Sequence, residues 1–128
     1  IPGNSAASGG AVHNRGTLTI VNSTISGNTA AAEGGGIYNQ TGTAILTNVT
    51  IANNTAATGG GFANSATGTL LNTIIADNAQ ASSNCAFVEL SGGNVVDTGN
   101  TNLVEINGVA QPCPGVTHRT RLLVTLRL

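Results

Sequence analysis

The sequence contains no Lys, no Met and no Trp, and only 7% of its 128 residues are charged. Aromatic residues make up 2%, so a core of interlocked rings is excluded and apolar packing must come from Ala, Val, Ile and Leu. Three of the four basic residues, Arg119, Arg121 and Arg127, lie in the last ten positions, which leaves no Lys/Arg stripe for nucleic acid or an anionic membrane surface. No apolar run approaches the ~20 residues needed to cross a bilayer, so membrane insertion by this segment is not expected. Net charge is −1 and mean hydropathy +0.16, outside the low-hydropathy, high-charge regime of disordered chains. What remains is abundant Gly, Thr and Asn among β-branched residues, a composition for strands joined by tight turns. The chain begins at Ile1-Pro2 with neither Met nor a signal sequence, as expected of a processed product or a piece of a longer protein.

Internal repetition organises the sequence. Gly9-Gly10-Ala11-Val12-His13-Asn14 recurs as Gly34-Gly35-Gly36-Ile37-Tyr38-Asn39 and as Gly59-Gly60-Gly61-Phe62-Ala63-Asn64, 25 residues apart each time. A second block, Gly16-Thr17-Leu18, matches Gly42-Thr43-Ala44 and Gly68-Thr69-Leu70 at a spacing of 26. Each copy runs on to an Asn (Asn22, Asn48, Asn72) and then to an Ile-x-x-Asn unit, Ile25 to Asn28, Ile51 to Asn54 and Ile75 to Asn78.

Apolar positions within a copy alternate, with Leu18 and Ile20 on one side and Thr17, Thr19 and Val21 on the other, which is strand periodicity. On this alignment the third copy is two residues shorter between Gly68 and Asn72, a deletion that keeps inward side chains inward because the strand period is two. One such repeat cannot bury its own apolar face, so copies must stack, with strands roughly 4.8 Å apart in parallel pairing. Asn28, Asn54 and Asn78 then form one structural ladder, and Asn22, Asn48 and Asn72 another. A leucine-rich repeat has a similar period but requires a Leu framework that is absent, and collagen requires Gly at every third position.

The Gly-Gly-x-(Val/Ile/Phe) blocks and the Ile-x-x-Asn units resemble the GGA(I/L/V) and FxxN repeats of chlamydial polymorphic outer-membrane proteins. They equally resemble bacterial cell-surface proteins with pectate-lyase-like β-helix repeats. The resemblance covers about residues 3 to 96, and Ile in place of Phe in every FxxN unit favours the broader group. It implies a right-handed parallel β-helix and display outside the cell or on its surface, as in the adhesin-like or passenger regions of larger exported proteins. The expected partners are a surface glycan, a host or cell-envelope component, and neighbouring coils of a longer chain.

Few residues suggest chemistry. A lyase of this fold needs a basic residue and Ca²⁺-holding carboxylates, whereas the one early cation, Arg15, sits in a turn. A hydrolase needs two carboxylates about 5 to 9.5 Å apart, for which Asp77 with Glu89 or Asp97 is the candidate set. Asp77 aligns with Gly27 and Asn53, however, and is read as a turn residue; Glu33, Glu89 and Glu105 are read as solvated. His13 aligns with Tyr38 and Ala63, and His118 lies in the tail, so no metal site is expected, and no cofactor. Ser23 and Ser26 lack triad partners. Tyr38 could stack on a sugar or shield a strand edge. The Thr-x-Thr spacing of an ice-binding face appears at Thr17-Leu18-Thr19, but on the alignment above only its first Thr repeats. Asn22, Asn48 and Asn53 head N-x-(S/T) sequons that coincide with the repeat's own turns.

The fold expected is therefore all-β: three regular coils and one degenerate coil over residues 1–96, followed by a loop-rich C-terminal cap and tail over 97–128. Leu122 to Leu128 alternates enough for a last strand. Cys85 and Cys113 either remain free thiols or form a disulfide; the bridge would close a loop of 28 residues and contribute roughly 3 to 4 kcal/mol. The function expected is a non-catalytic surface scaffold. Its rivals are part of a polysaccharide lyase or glycoside hydrolase whose catalytic residues lie elsewhere, and a purely structural spacer.

Overall fold

The computed structural model describes residues 1–78 together with the backbone of four short strands further on, 94–97, 103–106, 109–110 and 116–117. Strands and turns account for all regular structure among the described residues. The first repeat holds β1 (Ser5–Ala6), β2 (Val12–Asn14) and β3 (Thr17–Ser26); the second holds β4 (Thr29–Ala30), β5 (Ile37–Asn39) and β6 (Thr43–Ala52). In the third, β7 (Phe62–Asn64) is followed by β8 (Thr67–Leu71) and β9 (Ile74–Ala76), then come β10 (Asn94–Asp97), β11 (Leu103–Ile106), β12 (Val109–Ala110) and β13 (Val116–Thr117).

Every described strand except β12 pairs in parallel with its counterpart one repeat away. Strands β2, β5 and β7 form one sheet, β1 and β4 a second, and β3, β6, β8 and β9 belong to a third that continues through β10, β11 and β13. Among the described residues the one antiparallel pair is β11 with β12. Parallel strands so close in sequence, with no helical crossover, require the chain to wind back over itself once per repeat. The described structure is all-β with parallel sheets, the arrangement that a parallel β-helix has.

Two expectations change. The two-residue shortening does not fall inside the third strand, because β6 meets β8 as Thr43 opposite Thr67, Ala44 opposite Gly68 and Ile45 opposite Thr69. Gly68 therefore lies in the Ala44 column rather than beneath Gly42. The length variation sits in the turns: Arg15-Gly16 and Ser65-Ala66 span two residues and Gln40-Thr41-Gly42 spans three, while Asn14, Asn39 and Asn64 stay in register. A turn absorbs an extra residue at little cost, whereas a strand would flip its inward face. Furthermore, β11 and β13 fall where a loop-rich cap was expected. Leu103 pairs opposite Ile74 and Val116 opposite Val95. The tail strand expected at Leu122 to Leu128 lies outside the described residues.

Inward columns form the core. Ile25, Ile51 and Ile75 are fully buried, as are Ile37, Phe62, Leu46 and Ala44. Two of the columns change size in opposite directions: Leu18, Ala44 and Gly68 shrink along the stack while Val12, Ile37 and Phe62 grow. Growth in one column partly offsets shrinkage in the other, as close packing favours.

Some turns admit no side chain. Gly35 has an ordinary negative φ, yet a Cβ there would sit 2.3 Å from the Gly60 carbonyl oxygen. Gly10 is in the same position with respect to Gly35, so the backbones stack too closely for any other residue.

Candidate functional site

Asparagine amides run through the stack in three ladders. In the first, Asn28 donates from its backbone N–H and from Nδ2 to Asn54 Oδ1 at 3.0 and 2.9 Å, and Asn54 repeats both bonds to Asn78 Oδ1 at 3.0 and 2.9 Å. Each Nδ2 also reaches the carbonyl two residues back, Ser26 O from Asn28 and Ala52 O from Asn54. Asn28 and Asn54 are themselves buried, so their amides satisfy one another and the backbone groups they reach where water has little access. The ladder has an earlier rung: Asn4 donates to Asn28 Oδ1 from its backbone N–H and from Nδ2, at 2.9 and 3.0 Å. Sequence comparison beginning at the Gly-Gly blocks overlooked it, although Ile1-Pro2-Gly3-Asn4 is itself an Ile-x-x-Asn unit.

A second buried ladder was not singled out from sequence. Asn14 Nδ2 donates to Asn39 Oδ1 at 2.7 Å and Asn39 Nδ2 to Asn64 Oδ1 at 2.6 Å, and the same nitrogens reach Thr43 O and Thr67 O. Its signal was present, since Asn closes every Gly-Gly-x-x-x-Asn block.

The third ladder, Asn22, Asn48 and Asn72, is exposed, with Asn48 Nδ2 donating to Asn22 Oδ1 at 2.9 Å and Asn72 Nδ2 to Asn48 Oδ1 at 3.2 Å. These residues have φ of 49°, 54° and 51°. Their primary constraint is thus conformational, because Asn tolerates the left-handed region that turns the chain between strand segments. Asn53 and Asp77 share it at 56° and 53°, in register with Gly27 at 66°. Asp77 is held by its backbone at a turn, and Asp97 lies in β10 opposite Leu70. Glu89, Glu105 as a side chain, Cys85, Cys113 and His118 lie outside what is described.

Polar side chains that break the repeat gather at one place. The His13 ring lies over Tyr38 with centroids 5.0 Å apart and planes 33° from parallel. Gln40 Oε1 sits 2.9 Å from His13 Nε2 and 2.6 Å from Arg15 Nε. Tyr38 is buried while His13 and Arg15 are exposed, so Tyr38 supports the imidazole rather than offering its own face. Elsewhere Ser8 Oγ donates to Glu33 Oε2 at 2.8 Å, and Ser23 Oγ to Val21 O at 2.8 Å. Among the described residues no three His, Cys, Asp or Glu side chains cluster as a metal would require. No helix there is long and apolar enough to cross a membrane.

The outward face of β3, β6 and β8 carries Thr17, Thr43 and Thr67 in one column and Thr19, Ile45 and Thr69 in the next. The observed register thus stacks more threonines than the sequence alignment did, with Ile45 interrupting the second column.

Residues 22–40 match the Chlamydia polymorphic membrane protein repeat. The match runs from the exposed Asn22 through Ile25 to Asn28 and on to Gly34 to Asn39, so it includes a rung of every ladder. No curated protein and no solved structure matches the chain at a significant level.

Proposed function

We propose that the chain is a length of right-handed parallel β-helix, three regular coils and a degenerate fourth, acting as a non-catalytic scaffold on the cell surface or outside the cell. In this reading it is an adhesin-like or passenger-type part of a longer protein. The single observation that carries it is the match of residues 22–40 to a membrane-protein repeat whose signature residues here form the ladders and turns. The family named is one of membrane proteins, and parallel strands paired one repeat apart supply a rigid, sparsely charged stalk. The chemistry of the described surface supports a passive role. Glu33 is bonded to Ser8 and Asp77 occupies a turn, and among the described residues neither makes a carboxylate pair of the kind a glycosidase uses. Partners in this reading are a surface glycan or an envelope component, and neighbouring coils. Antibody labelling of intact cells of the native host, compared with permeabilised cells, tests the proposal. Labelling without permeabilisation is expected, and signal only after permeabilisation overturns surface display.

A further inference from the structure

Through residue 78 the sequence is written almost wholly in Gly, Ala, Ser, Thr, Asn, Val, Ile and Leu. Eight residues stand outside that set: Pro2, His13, Arg15, Glu33, Tyr38, Gln40, Phe62 and Asp77. Phe62 fills the core and Asp77 a turn. Four of the remaining six, His13, Arg15, Tyr38 and Gln40, converge on the surface where β2 and β5 run into their turns. The repeat's architecture does not require them, because Ala63 replaces the aromatic ring in the third copy without loss of pairing.

Donor chemistry fixes how the four groups are set. Arg15 can only donate, so the Gln40 atom 2.6 Å from its Nε must be the carbonyl oxygen. The same oxygen lies 2.9 Å from His13 Nε2, which must then carry a hydrogen, leaving Nδ1 of the neutral ring as an acceptor. Only Nε of Arg15 is used, and its two Nη groups donate to no partner among the described residues. The patch thus presents a forked cationic donor, a ring acceptor and an exposed ring face held by Tyr38.

We infer that His13, Arg15, Tyr38 and Gln40 form a contact site for an acidic sugar, a hexuronate residue of a glycan, and this rests on the surface-scaffold reading. The Arg15 fork takes the carboxylate in two parallel hydrogen bonds. His13 Nδ1 accepts from a ring hydroxyl, and the imidazole face packs against pyranose C–H groups. An acidic peptide fits less well, since it offers no flat C–H face for the ring. Among the described residues no carboxylate is bonded to Arg15, whose Nε meets Gln40 Oε1.

The full chain would be titrated with a hyaluronan tetrasaccharide, its carboxyl methyl ester and a Glu tetrapeptide, following amide and side-chain NMR shifts. The tetrasaccharide is expected to shift His13, Arg15 and Gln40 signals, more weakly as salt rises. Arg15→Gln should weaken binding by at least about tenfold, since even one of the two charge-assisted hydrogen bonds is worth that much, and His13→Ala should weaken it too. Both side chains are exposed, and an unchanged far-UV spectrum confirms that each variant is folded. Equal binding of the ester removes the carboxylate contact, equal binding of the peptide removes the sugar, and no binding or no effect of Arg15→Gln overturns the site. None of these results touches cell-surface labelling, so the scaffold proposal stands or falls separately.

Discussion

Asn54 and Asn48 occupy the same repeat and carry the same side chain, yet substitution should affect them to different extents and for different reasons. Asn54 accepts from the Asn28 N–H and donates to Ile25 O and Ala52 O, all within the buried stack. Replacing it with Ala strands these groups at about 1 to 3 kcal/mol each, so Asn54→Ala should cost about 3 kcal/mol or more. Asn48 is exposed, and its φ of 54° is its main constraint. There Ala should cost about 1 to 2 kcal/mol through the left-handed backbone alone, while Gly should stay within about 0.5 kcal/mol of the parent. Urea unfolding followed by circular dichroism distinguishes the two positions. If Asn48→Gly proved as damaging as Asn48→Ala, the exposed amide ladder rather than φ would be the stabilising feature.

Turns and strands differ in what they forgive. The second turn holds one residue more than the first and third, and the strands on either side remain paired. Deleting Thr41 should therefore lower stability modestly, through loss of its bond to Arg15 O. Deleting Ile45 from β6 would instead exchange the faces of every later residue in the strand, sending Leu46 outward, and should abolish folding. Gly35→Ala tests close approach rather than backbone freedom; with a Cβ 2.3 Å from Gly60 O, a cost of about 1 to 3 kcal/mol is expected by thermal denaturation. The sequence discloses strand periodicity and the spacing of repeats because both arise from local alternation and from residues that recur in every copy. It hides register where a turn changes length, since Gly and Thr recur often enough to align Gly68 with Gly42 as readily as with Ala44. The pairing of Arg15, Gln40 and His13 was equally hidden, because side chains 25 and 27 residues apart meet only once the turns are placed.

Stability in a stack of repeats is distributed along one axis, each repeat being held by its neighbours. Strand β6 is paired on both edges, with β3 on one side and with β8 and β9 on the other. Among the described residues strand β2 is paired only with β5, and the Thr17 to Val21 part of β3 only with β6. The far part of β3 is covered, because Ile1 N donates to Thr24 O at 2.6 Å and Ser26 N donates to Ile1 O at 3.3 Å. Native-state hydrogen exchange should accordingly be slowest for β6 amides, intermediate for Ser26 and Asn28, and fastest for β2. Removing residues 1–4 takes away the Asn4 rung and both Ile1 contacts, and should raise exchange at Ser26 while leaving Ile75 unchanged. If the truncation instead raised exchange equally at Ile75, the repeats would unfold as a single unit. Nearest-neighbour coupling would then fail as the account of how this chain is held together.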